Sequence, residues 1–522
     1  MSQIPIPTAL KPLFLAKSWL YALAALFAGA VFVLGFAPVS FWFAPLMAVL
    51  VLFALLEKAS PRQGFWLGFA FGVGQFGVGV SWVYNSLSLF GGLIGPIAGV
   101  VTAVFVLLLS LYPATLTLLY RKLVRPRQAP MLMRLLLFIA LWVLWEYLRA
   151  WLFGGFPWLN IGVAQFNGPM LGWLPLVGEF GTALVALLFA ALLFQAVVWL
   201  KVQRSAGALA IRAAIPIVVA LALAAVLVLV SWFADQYRFT QPNGDPVQAA
   251  VVQANIPQMQ RFEAEVFEQT LSIYFSLTEQ VAEADLVVWP ETAIPQILTF
   301  LPELHTQLRQ LAERHDSSML VGAFTESQGD YFNALVGVPD QVGTYHKQHL
   351  VPFGEYFPLR GVVERFPGIY EVPMSDLTPG TGPGLVRVDG VPVGASICYE
   401  MDFARDIRPA LPKAEYLVTV SNDSWFGARA ARQHLEIAQA RAYEFRRPMV
   451  RATNTGVSAL LDHRGAVLNA IEWDVRGVAS AEFSPRTGST PVMYYGAAPA
   501  VIAALLIGLW FIWRYRRTPR RV

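Results

Sequence analysis

The sequence predicts two architectures in one chain: an α-helical polytopic membrane domain of about eight transmembrane helices, followed by an α/β domain. The membrane prediction comes from composition, because 56% hydrophobic residues, 14% charged residues and a mean hydropathy of +0.53 are too apolar for an ordinary soluble protein. The α/β prediction comes from a change at Pro246, where long apolar runs give way to short strand-like segments that alternate with amphipathic helices.

Eight apolar stretches are long enough to cross a hydrocarbon core of roughly 30 Å, which takes about 20 helical residues. They lie at residues 18–37, 40–57, 65–85, 93–119, 131–151, 177–200, 213–233 and 492–513. The first follows Lys11 and Lys17 and contains Ala28-Gly-Ala30, so a signal peptide is the alternative interpretation. Because further spans follow at once, we interpret it as a retained anchor.

These segments divide the chain into three parts: a transmembrane domain of seven helices over residues 1–233, an α/β domain over 234–491, and a last helix with a basic tail over 492–522. The placement of Lys and Arg predicts their orientation. If the N-terminus is cytoplasmic, 17 basic residues fall in cytoplasmic segments and only Arg149 lies near an outer end. The 17 are Lys11, Lys17, Lys58, Arg62, Arg121, Lys122, Arg125, Arg127, Arg134, Lys201, Arg204, Arg212, Arg514, Arg516, Arg517, Arg520 and Arg521. Seven crossings then put the α/β domain outside the cytoplasm and both termini inside.

The distribution of charge removes the argument for nucleic-acid binding. The pI is about 9.1, yet residues 234–491 carry 20 Lys and Arg against 31 Asp and Glu, while the rest of the chain carries 18 against 3. The net positive charge therefore belongs to the cytoplasmic anchors and does not indicate a nucleic-acid-binding surface. The chain has one cysteine, so the outer domain contains no internal disulfide and depends on its hydrophobic core.

Residue patterns in the outer domain predict nine strands and three helices. The strands are 246–254, 285–290, 318–324, 332–338, 385–388, 392–398, 416–422, 449–454 and 457–462, and the helices are 260–283, 301–315 and 429–445. Asp389-Gly390, between two β-branched runs, predicts a tight hairpin turn. The long segment 353–384 is rich in Pro, Gly and apolar residues; we expect a lid that contacts lipid, and an Ω-like loop packed on its own side chains is the alternative.

Three chemically active side chains each follow a predicted buried strand. Cys398, the only cysteine, ends the run Val391–Ile397; Glu291 ends the run that begins at Ala284; and Lys347 ends Thr344-Tyr-His-Lys. A lone cysteine is often a small buried hydrophobic residue, and Glu or Lys at a strand end is often solvated. A thiol, a carboxylate and an amine in equivalent positions favour a nucleophilic catalytic site instead.

The order Glu291, Lys347, Cys398, with gaps of 56 and 51 residues, resembles the nitrilase superfamily over residues 246–487. The hydrophobic first half and three phrases resemble its membrane-embedded branch, the apolipoprotein N-acyltransferases. The phrases are Trp289-Pro-Glu-Thr292, Lys347-Gln-His-Leu-Val-Pro-Phe-Gly-Glu355 and Ser421-Asn-Asp-Ser-Trp-Phe-Gly427. The resemblance implies a nitrilase-like α-β-β-α sandwich and catalysis through an acyl-enzyme thioester.

The resemblance also implies a role for each member of the triad. Cys398 would attack the ester carbonyl of a phospholipid, and Glu291 would move protons, aided by desolvation beside Trp289. Lys347 would stabilise the oxyanion together with a backbone N–H after the nucleophile. Glu355 would orient Lys347 and fix its charge.

Five further positions are weaker candidates. Glu400 would serve either the incoming amine or the local hydrogen-bond network. Tyr399 and Trp425 would wall the acyl or diacylglyceryl site, or be ordinary core aromatics. His346 and His349 flank Lys347 without an evident metal motif, so we expect no metal and no cofactor.

Within the fifth span, Glu146 and Arg149 are ionisable residues one helical turn apart, which indicates either a functional pair or mutual neutralisation. The following segment, Phe153-Gly-Gly-Phe-Pro-Trp158, resembles the family at the outer surface, where it would shape the access of lipid to the site.

The predicted function is therefore transfer of a fatty acyl chain from a phospholipid, with phosphatidylethanolamine as the expected donor, to the N-terminal amine of an S-diacylglyceryl-cysteine apolipoprotein. This would be the last step of lipoprotein maturation, in the inner membrane of a Gram-negative bacterium with the catalytic domain in the periplasm. A membrane-tethered amidase or nitrile hydrolase with the same triad is the first alternative, although it would need only one anchor. A transporter with an appended domain is the second, although it would carry more ionisable residues within its spans than Glu146, Arg149 and Glu179.

Overall fold

The computed structural model describes residues 18–90, 93–124, 129–205, 211–258, 260–352, 354–356 and 376–516. Most of the predicted lid, at residue 353 and residues 357–375, lies outside the described residues, so the structure does not test it. The longer helices are α1 (Ser18–Phe32), α2 (Ala44–Leu56), α3 (Pro61–Gly79), α4 (Gly95–Leu123), α5 (Met131–Arg149), α6 (Leu174–Ser205), α7 (Ile211–Gln236), α8 (Ala264–Thr278), α9 (Pro302–Arg314), α10 (Gly427–Phe445) and α11 (Ala498–Arg516).

Among the described helices, five are long and apolar enough to cross a membrane, at Gly95–Leu123, Met131–Arg149, Leu171–Gln203, Ala214–Gln236 and Ala498–Tyr515. Pro61–Gly79 and Val83–Leu89 would form a sixth span, bent by 60°. Helices α1 and α2 are shorter than the spans predicted there. At 1.5 Å per residue, the 13 residues of α2 extend only about 20 Å. Pro38 lies in the connection between the two helices and Pro45 in the first turn of α2, positions that suit a residue without a backbone N–H.

Helix α3 packs closely between α1 and α4 because one side of it is lined with glycine. A Cβ atom at Gly68 or Gly72 would overlap the backbone of α4 at Pro113 or Ser110. This close approach lets the Thr117 hydroxyl donate a hydrogen bond to the carbonyl of Gly64, at 2.8 Å. Small residues at helix contacts are the usual means of association inside a membrane, where lipid tails are as apolar as leucine.

The α/β domain contains two main sheets. The strands are β1 (Thr240–Pro242), β2 (Val247–Gln253), β3 (Leu286–Val288), β4 (Ile294–Ile297), β5 (Ser318–Ser327), β6 (Asp330–Val338), β7 (Thr344–His346), β8 (Leu385–Val388), β9 (Val391–Ile397), β10 (Tyr416–Ser421), β11 (Met449–Thr453), β12 (Ser458–Leu461), β13 (Val467–Ile471), β14 (Gly477–Phe483) and β15 (Arg486–Gly488). One sheet has the order β14-β2-β3-β5-β6-β7, with β4 beside β5; the other has the order β13-β12-β11-β10-β9-β8. All nine predicted strands and the three predicted helices are confirmed, with boundaries shifted by a few residues.

The sheets face each other across a hydrophobic core and are covered by helices on their outer faces, which is an α-β-β-α sandwich. Alternation along the strands produces the layers: in β2, Val251 enters the core between the sheets, whereas Val252 faces the helix layer. Helix α9 covers that outer face with an apolar stripe of Leu304, Leu308 and Leu311. The predicted hairpin is confirmed, because Asp389 and Gly390 have φ values of 48° and 80° and Val388 pairs with Val391.

Helix α10 covers the other sheet and also faces the membrane domain. Leu417 of β10 and Ala438 of α10 belong to the same hydrophobic cluster as Leu187 of α6. The core of the membrane domain therefore continues into the α/β domain through α10, and the sheet that carries Cys398 lies beside the membrane helices.

Candidate active site

Glu291 follows the end of β3 and is buried, with 7% of its surface exposed. Its Oε1 accepts hydrogen bonds from Asn333 Nδ2 at 2.8 Å and from Lys347 Nζ at 3.2 Å. Its Oε2 accepts a hydrogen bond from the backbone N–H of Asn422 at 3.0 Å. These donors hold the carboxylate at the edge where β3, β7 and β10 end.

The sequence predicted that Trp289 would help to desolvate Glu291, but the Trp289 side chain points away from this carboxylate. The Trp289 ring stacks on Tyr274 of α8 with centroids 4.7 Å apart, and its indole N–H donates to Thr278 Oγ1 at 2.9 Å. Trp289 therefore faces the helix layer. The carboxylate is surrounded by polar donors, and this part of the prediction was wrong.

Lys347 follows β7 directly and is 1% exposed. Its ammonium group lies 2.9 Å from Glu355 Oε1 and 3.2 Å from Glu291 Oε1. Burial opposes the charge on Lys347, but the two carboxylates outweigh it and hold the pKa of Lys347 well above its ordinary value. The structure thus places an ammonium group between two carboxylates that favour its charged form.

Glu355 completes this group, as the sequence predicted for its position. Its Oε1 accepts hydrogen bonds from Lys347 Nζ and from Asn333 Nδ2, both at 2.9 Å, and its Oε2 accepts from the backbone N–H of Val351 at 2.8 Å. Asn333 bridges Glu355 and Glu291, so one neutral amide fixes the separation of the two carboxylates. Asn333 was missed by the sequence analysis because an isolated Asn inside a strand carries no signal.

Cys398 is the first residue after β9 and adopts φ 55°, a left-handed conformation that is uncommon for residues other than glycine. The strand turns sharply there into Cys398–Asp402. Strained backbone of this kind is frequent at functional sites. Burial, followed by the charge of Glu291, raises the pKa of the Cys398 thiol well above its ordinary value, although Lys347 and a hydrogen bond with Ser421 oppose this. The charges of Glu291 and Lys347 both act on the Cys398 thiol, so the three predicted triad members lie in one site.

Ser421 lies beside the nucleophile because β9 and β10 are parallel and Ile397 pairs with Val420. Its hydroxyl donates to Asp423 Oδ1 at 2.5 Å. Asp423 is fully buried, pairs with Arg451 and accepts from His434 Nδ1 at 3.0 Å. These charges and the Ser421 hydroxyl outweigh burial and lower the pKa of Asp423. The sequence analysis quoted Ser421 and Asp423 only within a matching phrase and did not assign them a role.

Glu400 is a clamp between the segments that carry Lys347 and Cys398. Its Oε1 accepts from the Tyr345 hydroxyl at 2.8 Å and from the backbone N–H groups of Gln348 and His349 at 2.7 and 3.0 Å. Its Oε2 accepts from the backbone N–H of Ile397 at 2.7 Å. Of the two roles considered for Glu400, these four donors favour the local network over contact with an incoming amine.

The two predicted wall aromatics both contact the membrane domain. The Tyr399 hydroxyl donates to the carbonyl of Gly155 at 2.6 Å, and the Ser86 hydroxyl donates to the carbonyl of Trp425 at 2.6 Å. These bonds place both sides of the Cys398 region against loops that follow membrane helices. Contact of Tyr399 and Trp425 with substrate stays a prediction.

The flanking histidines have local partners. His346 stacks on Phe332 with centroids 4.3 Å apart, and His349 Nδ1 lies 2.6 Å from Asp406 Oδ2. Within the described chain, no group of three or more His, Cys, Asp and Glu side chains is arranged to hold a metal ion.

Two ionisable residues of the membrane domain support the loop that follows α5. Arg149 donates to the carbonyls of Phe156 and Trp158 at 2.6 and 2.5 Å, and Glu146 accepts from the backbone N–H of Ile161 at 3.3 Å. The Glu146–Arg149 pair therefore holds the segment that follows α5, which is a structural use of both charges.

Helix α10 attaches the α/β domain to the membrane domain through buried polar contacts. Arg441 Nη2 lies 3.0 Å from Glu179 of α6, and its Nη1 lies 2.5 Å from Glu444. Gln433 accepts from the indole N–H of Trp158 at 2.8 Å. The sequence analysis noted Glu179 only as an ionisable residue within a span, and its partner on α10 was not predictable from spacing.

Comparison with known proteins identifies the class of this fold and site. A family model described as carbon-nitrogen hydrolase matches residues 248–491, and one described as the apolipoprotein N-acyltransferase N-terminal domain matches residues 28–192. The α/β domain is thus a carbon-nitrogen hydrolase domain, of the nitrilase superfamily. Among solved structures, an amidase from Nesterenkonia sp. AN1 aligns with 14% identity over 47% of this chain and 92% of its own, with a TM-score of 0.36.

Full-length relatives define the family more closely. A protein named apolipoprotein N-acyltransferase from Methylococcus capsulatus is 37% identical over 505 residues, covering 95% of this chain and 96% of the relative. One of the same name from Coxiella burnetii is 34% identical, covering 92% of this chain and 98% of the relative. The chain belongs to the apolipoprotein N-acyltransferase family.

Proposed function

We propose that this protein transfers a fatty acyl chain from a phospholipid, through a thioester on Cys398, to the N-terminal amine of a diacylglyceryl apolipoprotein. The observation that carries the proposal is the hydrogen bond from Tyr399, the residue after Cys398, to Gly155 in the loop after α5. It holds the nucleophile beside the membrane domain. A hydrolase of small soluble amides has no use for that arrangement.

In the first half-reaction, Cys398 Sγ attacks the ester carbonyl carbon of the donor while Glu291 takes the thiol proton. The raised pKa of Cys398 keeps the thiol protonated at neutral pH, so a base must act during the attack. Lys347 stabilises the oxyanion that forms, and the N–H after the nucleophile is the second donor. When the intermediate collapses, the C–O bond breaks and Glu291 returns the proton to the lysophospholipid alkoxide.

In the second half-reaction, the acceptor amine attacks the thioester carbonyl. Glu291 takes one proton from the amine as the C–N bond forms, and the C–S bond breaks when the second intermediate collapses. The proton then returns to Cys398 Sγ, which restores the starting enzyme. Glu355 keeps Lys347 charged and directed toward the site in both steps. Its ion pair with Lys347, at 2.9 Å, does not depend on whether Glu291 is protonated.

The test of this proposal is intact-protein mass spectrometry after incubation with phosphatidylethanolamine alone. The expected result is a mass increase of one fatty acyl group, located on Cys398 by peptide mapping. Adding a diacylglyceryl peptide should remove the adduct and yield an N-acylated peptide. Loss of the adduct to water as free fatty acid, with the peptide unchanged, would favour the membrane-tethered amidase or nitrile hydrolase alternative.

We also propose eight membrane crossings, in which α1, α2 and the bent α3 segment complete the five longer helices. Residues 1–233, 234–491 and 492–522 are then the membrane domain, a periplasmic catalytic domain, and a last helix with a cytoplasmic tail. The distribution of basic residues supports this topology. Reporters fused within 234–245 and after Arg521 should report the periplasm and the cytoplasm of the bacterial inner membrane, respectively. Protection of residues 234–491 from protease in intact spheroplasts would contradict the topology.

A further inference from the structure

An arginine that no step of the proposed reaction uses lies between the nucleophile segment and the outer loop of the membrane domain. Arg405 belongs to the short helix Ala404–Ile407, which follows Cys398–Asp402. Its guanidinium carbon lies 4.7 Å from the centre of the Trp151 ring and 4.8 Å from the centre of the Phe403 ring. The Phe403 ring in turn contacts Tyr399 at a centroid distance of 4.9 Å. Two ring contacts therefore connect Arg405 to the residue next to Cys398.

Arg405 retains hydrogen-bonding capacity in this position. Its Nε lies 3.5 Å from Asp406 Oδ1, while the other oxygen of Asp406 lies 2.6 Å from His349. Its Nη1 is buried and has no hydrogen-bond partner among the described residues. Buried donors are rarely left unpaired, and a missing bound group is one of the ordinary explanations.

The charge of the active site makes a nearby cation useful to an anionic ligand. Glu291 and Glu355 both pair with Lys347, and Glu400 interacts electrostatically with it, so a phosphodiester that approaches these four groups meets three carboxylates and one ammonium group. Arg405 lies outside that group, toward the membrane domain. A planar guanidinium binds phosphate oxygens through paired N–H groups and stacks on aromatic rings at the same time.

The loop beside Arg405 exposes apolar side chains at the outer end of α5. Trp151, Leu152 and Phe153 are 56%, 42% and 92% exposed. Phe153 has φ 57°, and Gly154 and Gly155 also have positive φ, so the backbone turns sharply and presents Phe153 outward. Exposed aromatic and aliphatic residues at this level of a membrane helix are expected to contact lipid.

We propose that Arg405 binds the phosphate of the phospholipid acyl donor, with the acyl chains along Trp151, Leu152 and Phe153 and the ester directed to Cys398. This inference rests on the proposed acyltransferase function and names the group that recognises its donor. Under this proposal, Arg405 makes the enzyme prefer a phospholipid over an uncharged lipid ester.

The test compares two donors with the same acyl chains, phosphatidylethanolamine and diacylglycerol, in mixed detergent micelles with the full chain. The readout is the rate of acylation of Cys398, by intact mass. Arg405→Gln should lower the rate constant for phosphatidylethanolamine at low donor concentration by about tenfold or more, as expected for a lost charge-assisted bond, with little change for diacylglycerol. Arg405→Lys should give an intermediate rate with phosphatidylethanolamine, because it keeps the charge and loses the paired N–H groups of the guanidinium.

Arg387→Gln is the matched control, since Arg387 is exposed at the opposite end of the hairpin that leads to Cys398. It should leave both donors unaffected. If Arg405→Gln lowers the rates for both donors equally, Arg405 only holds the loop. If it leaves both rates unchanged, the proposal is equally overturned. If phosphatidylethanolamine fails to acylate the unaltered enzyme, the proposed function fails instead, which is a separate outcome.

Discussion

Two buried cations in this protein each lie between two carboxylates, and they differ in whether backbone carbonyls also hold them. Lys347 faces Glu291 and Glu355 at 3.2 and 2.9 Å, and within the described residues its ammonium group makes only these two hydrogen bonds. Arg441 faces Glu179 and Glu444 at 3.0 and 2.5 Å. It also donates to the backbone carbonyls of Met401 and Asp402, at 3.3 and 2.7 Å.

The comparison separates a cation that is available for chemistry from one that is used for attachment. An ammonium group has three N–H donors, so Lys347 keeps one for an oxyanion that appears only during the reaction. Four of the five N–H groups of Arg441 face acceptors, and these acceptors belong to both domains, so the guanidinium holds the two domains together. The same set of one cation and two carboxylates thus supports two uses, and the presence of Cys398 beside Lys347 marks the reactive one.

The largest expected effect comes from removing the nucleophile. Cys398→Ser should abolish thioester formation, because a hydroxyl is far less acidic than a thiol and the site offers Glu291 instead of a histidine base. The exchange is nearly isosteric, so the thermal unfolding temperature in detergent should change little. If a purified Cys398→Ser enzyme turned over at the unaltered rate, Cys398 would not be the nucleophile.

Removing the reactive cation should have the next largest effect. Lys347→Ala should slow single-turnover acylation of Cys398 by about 10²-fold or more, with little change in phospholipid binding, because the charge matters most when the oxyanion develops. Glu355→Gln should have a smaller effect in the same assay, since it weakens the orientation of Lys347 while Glu291 still supports its charge. Acylation at an unchanged rate in Lys347→Ala would place this lysine with the structural cations.

Removing the attaching cation should lower stability and leave the chemistry nearly intact. Arg441→Gln leaves Glu179 and Glu444 buried without their partner, which typically costs about 3–5 kcal/mol of unfolding free energy. A lower unfolding temperature in detergent should show this, while the acylation rate per folded molecule stays within about threefold of the unaltered rate. Arg432→Gln, an exposed arginine on the same helix α10, is the control and should change neither quantity. A selective loss of acylation in Arg441→Gln, without loss of stability, would contradict the assignment of Arg441 as an attaching cation.

The smallest expected effect concerns the acidity of the thiol. Because the chain has one cysteine, alkylation by a small reagent reports on Cys398 alone. Burial and Glu291 raise its pKa, so the alkylation rate of the folded protein should still be rising above about pH 9, where the rate of the unfolded chain levels off. Ser421→Ala should move the profile further to high pH and slow acylation a few-fold, because the Ser421 hydroxyl, which donates to Asp423, can rotate toward the thiolate as it forms and lower the pKa of Cys398. Ser421→Thr should restore the profile if the hydroxyl is responsible, and identical profiles in all three proteins would exclude that role.

The predicted parts of the fold and site share a local signal. The strands and the Asp389-Gly390 hairpin are visible in the sequence because alternation, β-branched residues and turn residues act within a few positions. Glu291, Lys347 and Cys398 could be selected because each follows such a strand with a reactive group. Their convergence results from strand order in two facing sheets, which sequence spacing alone does not determine.

The missed parts depend on contacts between distant segments. Asn333 and Ser421 are neutral residues whose importance comes only from what stands opposite them, and Arg441 finds Glu179 in another domain. The membrane helices show the same limit. Composition located the apolar segments, but the helices α1 and α2 that form there are shorter, with prolines in their connection and in the first turn of α2.

The clamp at Glu400 limits how this site can be altered. Its two oxygens face four donors, and an ionised carboxylate supplies about four lone-pair directions to receive them. Glutamine, the usual neutral replacement for glutamate, would turn an NH₂ group toward at least one N–H and create a contact between two donors. The conservative exchange is therefore the disruptive one here, and it would act by separating Lys347 from Cys398 without touching either. In a directed-evolution library, position 400 would tolerate less variation than its distance from the reacting bonds suggests.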